Sequence, residues 1–557
     1  MNLIGNINAI PFRRFRGGGG VAPFPSIPGM IARYSALGLT NEQMAENPVW
    51  KDLTGNGLDL QMKNFAWSEM SGVGGYSDNF SSASWKKPSD RSDITWTSSS
   101  FNITRVMNTG VQMYYQAAWE ESESVIPEKR IIVKGLEDGQ VLRYMNVGNR
   151  IIEISQDGIY TIPSFIFKGV SSYYGYSLAK KQESCNVTVE QLPLYPGALV
   201  FDGVDDYGTC DNFPILTKEK GYTVVALRQW ISMGEGISGL VSNVKNWFND
   251  GAFVLEYNSN GATNKFVNRP VSFGNVNIEM DLPNNFTYQT SKSYKGVPIT
   301  TGSFKGTNSL FVGKLNNIIG NCSNVAIWEL VFLDHDATEE ELTKIKDYFV
   351  KTYPWLFPDQ AWTVTGKTNE DEDRATIANI TGNGNDLVLS NFGFAEGSGY
   401  NEEGEYAGYL VTDGVDDKIT SSAFKIGKDF TVVGEWKFLK EDVIKLSGFV
   451  KYDAFIFYNY SYSNKINIYI HSPQGTAFNN VDTIKAVTSE GQVYFDFNSI
   501  EEVKPGDLAD KGYVMDIGYK GSNHTKLALK NFAIYPTVLS KDDCIKAYNY
   551  LQTLKAK

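Results

Sequence analysis

Apolar residues along the chain fall into short runs that alternate with polar ones or stay continuous for a few positions, bounded by Gly, Asn and Asp. "YTVVALRQW", "AFVLEYN", "SLFVGKL" and "NVAIWELVFL" are such runs between residues 222 and 333. "FTVVGEWKF", "AFIFYNY", "NKINIYIHS", "QVYFDFN" and "YVMDIGYK" repeat the texture between 430 and 520. Period-two alternation and brief apolar stretches between turn residues predict β-strands. A helical period follows the last strand of each set. Thr338 with Glu341 three residues on is a capping box, and Ser540 with Asp543 stands in the corresponding place. Three-and-four spacing puts Ile345, Tyr348 and Phe349 on the buried side of one helix, and Ile545, Tyr548 and Leu551 on that of the other.

The two sets are copies. "TGNGLDLQMKNFAW" (Thr54 to Trp67) returns 327 residues later as "TGNGNDLVLSNFGF", with eight of fourteen positions identical. "LVFDGVDDYGT" (Leu199 to Thr209) returns as "LVTDGVDDKIT" at an offset of 211, and "NVAIW" at 324 as "NFAIY" at an offset of 207. Phrases shared in one order mark a duplicated domain. The fall from 327 to 211 means that the first copy holds 116 extra residues, placed between Val73 and Leu194. That stretch reads as strands itself ("EKRIIVKGL", "QVLRYMNVG", "NVTVEQLP"), so a small β-sandwich is expected inside a loop of its host. The expected division is an arm at 1–25, a first jelly roll from 26–72 plus 195–355, the insert at 73–194, and a second jelly roll at 358–557. The fold class is all-β: two duplicated antiparallel jelly rolls, each ending in a short helix, plus the inserted sandwich.

Composition agrees. Aromatics reach 13%, with 31 Tyr, 32 Phe and 52 Gly, a bias toward strands and tight turns. A net charge of −12 argues against nucleic-acid binding, which needs a basic face. Cys185, Cys210, Cys322 and Cys544 show no paired spacing and are expected to be small core residues. No apolar run approaches membrane-spanning length. In "MNLIGNINAIPFRRFRGGGG" the charges follow the apolar stretch, the wrong order for a secretory signal peptide, so the chain is expected to stay in the cytoplasm where it is made unless lysis frees it.

A strand ending in "DGVDD", a β-rich middle, then "AIW" or "AIY" and one closing amphipathic helix resemble the laminin-G-like, concanavalin-type jelly roll. The likeness covers both copies, roughly 435 residues by domain-length bookkeeping. With "IARYSALGLTNEQ" leading into "LTGNG" and a β insert before "GVDDYG", the chain also resembles LamG-type proteins of gut Bacteroides and their crAss-like phages. That resemblance implies a virion fibre or decoration protein, or a cell-surface adhesin.

What the repeated phrases do follows from their residues. Gly and Asn in "TGNG" accept positive φ before a strand, and Asp59 and Asp386 can bond nearby amides. In "DGVDD", Gly203 and Gly414 permit the bend while Asp205, Asp206, Asp416 and Asp417 can cap amides. Together with Asp202 and Asp413 these carboxylates are the chain's calcium candidates, but hard cations need six or more oxygens, and turn chemistry is preferred. No other cofactor is expected. A β-glucanase strand would read Glu-x-Asp-x-x-Glu. The nearest match, Glu279-Met280-Asp281-Leu282-Pro283-Asn284, lacks the second carboxyl that a retaining glycosidase requires. His335, His471 and His524 form no motif, and His335 is expected at the surface. The chain is therefore expected not to be an enzyme.

Glycan binding is the better expectation, since sugars stack on aromatic rings amid amide and hydroxyl partners. Two clusters are candidates: Tyr173, Tyr174 and Tyr176 in the insert, and Tyr458, Tyr460, Tyr462 and Asn464 in the second copy. Alternate tyrosines lining a sheet face are the plain alternative, and Trp67 and Trp328 are expected in the core. The N-terminal segment, with Phe12, Arg13, Arg14, Phe15 and Arg16 followed by four glycines, cannot pack as a domain. It is expected to be a docking arm for other virion proteins. Expected partners are thus virion proteins and a host surface polysaccharide, with a homo-oligomer compatible. The runner-up readings are a bacterial surface or secreted glycan-binding protein and a glycan-degrading enzyme with an unrecognised site.

Overall fold

The computed structural model describes residues 23–556 except 87–91, 108–112, 117–122, 147–148, 169–172, 180–183, 217–219, 233–237, 244–252, 259–265, 269–275, 278–284, 299–306, 316–321, 396, 405, 440–454, 461–464, 471–475, 480–483, 496, 498, 504–511, 514, 518 and 521–522. The docking-arm residues Phe12, Arg13, Arg14, Phe15 and Arg16, and Glu279 to Asn284, lie outside the described residues.

The first jelly roll pairs two eight-stranded antiparallel sheets. Its centre is a ladder between Thr223–Ser232 and Asn324–Leu333, each ten residues long and buried almost throughout. These strands read as continuous apolar runs because both faces are covered. Val224, Ala226, Val325, Ile327 and Phe332 meet the facing sheet. Their neighbours Val225, Leu227, Ala326, Trp328 and Val331 turn outward under a helix. That helix is α2 (Glu339–Thr352; α1 is the short Asn41–Glu46). Thr338 and Glu341 close the expected capping box at its start, and Ile345, Tyr348 and Phe349 are buried on it.

Residues 72–73 pair with Leu199 and Val200, so the chain on either side of the insertion belongs to one sheet. The insertion's ends meet: Tyr195 N–H donates to Gly74 O and Leu194 N–H to Gly75 O, both at 2.8 Å. Between them, two five-stranded sheets enclose a core drawn wholly from residues 80–189.

The second copy repeats the plan, with Thr431–Phe438 laddered to Leu527–Tyr535 in an eight-stranded sheet. Helix α3 (Lys541–Gln552) covers its outer face, capped by Ser540, whose hydroxyl accepts the Asp543 amide. Tyr548 and Leu551 are buried and Ile545 is half-buried. A 3-10 turn, Pro354–Leu356, links the copies, and one apolar cluster runs from Trp328 and Phe349 through Trp355 to Tyr535 and Tyr548. Polar contacts fix the three domains together. Arg130 Nη1 donates to Asn549 Oδ1 at 2.9 Å, Asn285 Nδ2 to Leu356 O and Tyr550 Oη at 3.1 Å, and Gln229 Nε2 to Thr553 Oγ1 at 3.0 Å. All four cysteines are free and buried.

The repeated phrases make repeated hydrogen bonds. Asn56 Nδ2 donates to Ile31 O at 2.8 Å, and Asn383 Nδ2 to Asp359 O at 2.7 Å. The Asp52 amide donates to Asp59 and the Asn379 amide to Asp386, at 2.9 and 2.7 Å. Asn64 and Asn391, both at positive φ, reach across to the carbonyls of Asp205 and Asp416. The phrase written twice holds the strand entering one sheet to the loop of its neighbour.

Candidate functional site

The structure divides the expected tyrosines. Tyr174 and Tyr176 are 3% and 0% exposed and pack within the insert's core, against Trp85, Phe167 and Phe101. They are core residues rather than glycan contacts, because their strand, Tyr173–Leu178, is covered on both faces. Tyr173 is half-buried, its ring 5.8 Å from that of Tyr114. Tyr458 and Tyr460 fall on the strand Phe455–Tyr460, with side chains outside the described residues, as are Tyr462 and Asn464 altogether. Trp328 is fully buried, and half-buried Trp67 stacks on Phe65 at 4.7 Å. His335, partly exposed, bridges Asp334 and Glu341 at the start of α2.

The acidic turns are held as turns. Asp202, Asp205 and Asp206 can bring one carboxylate oxygen each within 4.8 Å of one another, as can Asp413, Asp416 and Asp417. In the first set Asp206 uses both oxygens internally, accepting Ser71 Oγ and the Asp202 amide at 3.0 Å each. Asp202 Oδ1 accepts the amides of Val204 and Asp205. The second set repeats all four contacts, with Ser398 in place of Ser71. The buried carboxylates are spent on the fold, and the remaining oxygens fall short of a calcium shell.

The cleft of interest lies where the three domains meet. Its volume is about 680 Å³. The first jelly roll supplies Ser68, Glu69, Met70 and Asp202, with Tyr76 and Ser77 at the start of the insert and Tyr195 at its exit. The insert adds Pro127, Glu128 and Arg130, and the second jelly roll Lys530, Gln552 and Thr553. The Glu69 corner is a hairpin closed by the Ser68 and Ser71 backbones at 2.9 and 3.0 Å, with Trp67 and Glu69 at φ of 53° and 49°. The hairpin recurs in the second copy, where the Ala395 and Ser398 backbones close it and Phe394 has a φ of 49°, so it belongs to the jelly roll.

Charge is unevenly shared across this cleft. Glu128 is ion-paired with Arg130 at 3.1 Å and approached by Lys530 at 3.9 Å. Burial alone would raise its carboxyl, but Lys530 and Arg130 hold it below the usual range. Glu69 goes the other way: burial, then Asp78, raises its carboxyl. Burial also pushes the Tyr76 hydroxyl up to about 12. Two polar atoms here lack partners among the described residues: Arg130 Nε, on a side chain 5% exposed, and Gln552 Oε1. A buried donor and a buried acceptor are thus left unpaired on residues that line one cleft.

Sequence reading did not single out Glu69, Tyr76, Glu128, Arg130, Lys530, Gln552 or Thr553. The available signal was the insertion point itself: a domain spliced at residue 73 must leave a seam there, and seams between domains are common binding sites.

No protein-family model matches the chain, and no curated protein matches it. Among solved structures, the chain is similar to the botulinum neurotoxin serotype D binding domain at 11% identity, over 63% of this chain and 89% of that one, with a TM-score of 0.23. The receptor binding domain of botulinum neurotoxin type G shows 11% identity over 34% of this chain and 49% of its own, with a TM-score of 0.21. A Trypanosoma rangeli sialidase in complex with sialic acid shows 7% identity over 81% and 82%, with a TM-score of 0.22. The function is therefore read from this chain's own residues.

Proposed function

We propose that the protein is a non-catalytic glycan-binding protein that holds a saccharide in the cleft between its three domains. The observation that carries this reading is a cleft of about 680 Å³ lined by Tyr76, Ser68, Ser77 and Thr553, beside which Arg130 Nε and Gln552 Oε1 lie buried without partners among the described residues. A saccharide offers hydroxyls that both donate and accept, with apolar ring faces for the tyrosine and for Met70. The test is a glycan array probed with the full chain and with Gln552→Ala. Array signals that the substitution weakens support the reading. Signals unaffected by it, or none at all, overturn the cleft as the site.

The finer reading is a virion-associated fibre or decoration protein of a Bacteroides-type phage, docked by its N-terminal arm and turning the cleft outward to a host polysaccharide. It is supported by the arm's composition and by the way the chain leaves it: Phe24 packs edge-on against Tyr348 at 4.8 Å beneath Arg33, and Ile27 is buried. The arm thus starts from a fixed point beside α2.

A further inference from the structure

We infer that the cleft selects saccharides bearing a free ammonium group over those bearing carboxylate or sulfate, with the first jelly roll forming its cation-binding wall. This rests on the cleft being the saccharide site. The charged residues lining it are Glu69, Asp202, Glu128, Arg130 and Lys530. Both cations stand on the far walls and are directed at Glu128, one at 3.1 Å and the other at 3.9 Å. Arg130 is further held by Asn549, and its guanidinium lies 4.8 Å from the centre of the Tyr548 ring. Both Nη atoms of Arg130 are engaged and its Nε is buried, so an incoming anion would have to approach Lys530 beside the Glu128 carboxylate.

The near wall is the reverse. Among the described residues no cation pairs with Glu69 or Asp202. Asp202 commits Oδ1 to its own turn, and Oδ2 accepts no hydrogen bond there. The pair behind this wall, Lys129 with Asp78, is closed on itself and nearly fully buried. Glu69 sits exposed at the tip of the strained hairpin, where partial desolvation and then Asp78 raise its carboxyl. An ammonium there would offset that shift, as charge-assisted hydrogen bonds to carboxylates do, while a carboxylate or sulfate would add to it.

The experiment is calorimetric titration of the full chain with three probes of equal length: a glucosamine tetramer with its amines protonated, its N-acetylated counterpart, and a galacturonate tetramer. The expected result is binding of the glucosamine tetramer about tenfold tighter than the acetylated one, with no measurable binding of the galacturonate. Glu69→Gln, an isosteric change at an exposed tip, should reduce that preference to about threefold or less with an unchanged melting temperature. Galacturonate binding as tight as glucosamine, or a preference that survives Glu69→Gln, overturns the inference. If Gln552→Ala weakens binding in those cases, the saccharide reading stands without it. No heat from any of the three overturns the inference, and array signals lost in Gln552→Ala would still uphold the cleft as a glycan site.

Discussion

Ser71 donates its hydroxyl to Asp206 at 3.0 Å, joining the residue just before the insertion to the first turn after it. The partners are 135 positions apart, yet Ser398 and Asp417 make the same bond at 3.0 Å across only 19. The contact belongs to the jelly roll, and the insert was placed without breaking it.

Asp206 is fully buried, and burial pushes its carboxyl up to about 7, with Asp202 and Asp205 adding to the shift; Asp417 is pushed up to about 6. A carboxyl raised on folding binds its proton more tightly in the folded state. Stability from this group is therefore complete at low pH and declines as pH rises from about 4 to about 7. Asp206→Asn removes the titration. Its melting temperature relative to the parent should climb between pH 4 and pH 7 and then level off. A difference that stays constant with pH would refute the assignment.

Glu256 shows the opposite sign. Burial would raise its carboxyl, but Arg228, donating from Nε and Nη2 at 2.7 and 2.6 Å, holds it at about 2. Trp230, Thr287 and Tyr294 donate to the same carboxylate. Arg228→Met would strand a buried charge at a cost of about 3–5 kcal/mol near neutral pH. Because the folded pKa is depressed, this penalty should shrink as pH falls from about 4.5 toward 2. Urea unfolding of both proteins at pH 7 and pH 3 measures it, and equal losses at the two would contradict the ion-pair account.

Much of this was legible in the sequence because local chemistry decides it. The Thr338 and Ser540 caps, the buried faces of α2 and α3, and the insertion point all follow from residue spacing alone. The tyrosines of "SSYYGYS" were not legible in this way. Their spacing fits a glycan-facing cluster and a covered sheet face alike, and here the insert's two sheets and its strand Phe165–Lys168 enclose Tyr174 and Tyr176. Whether a strand face is open depends on what the rest of the chain lays over it. The cleft was hidden for a related reason: Glu69, Arg130 and Gln552 come from three domains, and no spacing rule links them.

The helix caps can be tested directly. Ser540→Ala leaves the Asp543 amide without its acceptor at 3.1 Å and should cost about 1 kcal/mol. Thr338→Ala removes the hydroxyl that accepts the Glu341 amide at 3.2 Å but keeps the backbone amide that donates to the Glu341 carboxylate, and should cost about 1 kcal/mol. Guanidinium midpoints of the two variants report these losses. No change in either would mean that packing alone holds the helix starts.

The arm decides between a particle-bound protein and a free lectin. The first described strand begins at Met30, and the chain is anchored from Phe24 onward by Tyr348, Arg33 and the core around Ile27. Deleting residues 1–20 therefore leaves these anchors and the sheets they serve in place, and the truncated chain should be soluble with an unchanged melting temperature. If Phe12, Phe15 and the arginines Arg13, Arg14 and Arg16 are the docking contacts, the same deletion should abolish incorporation into the particle. Neutralising the three arginines alone should weaken incorporation, and by less as salt rises, since exposed charge pairs are screened within about 8–10 Å at physiological ionic strength. Glycan retention should survive both changes, because among the described residues none lining the cleft precedes Ala66. Normal incorporation of the truncated chain would remove the docking role and shift the reading to a free glycan-binding protein. Loss of folding would show instead that the arm completes a core.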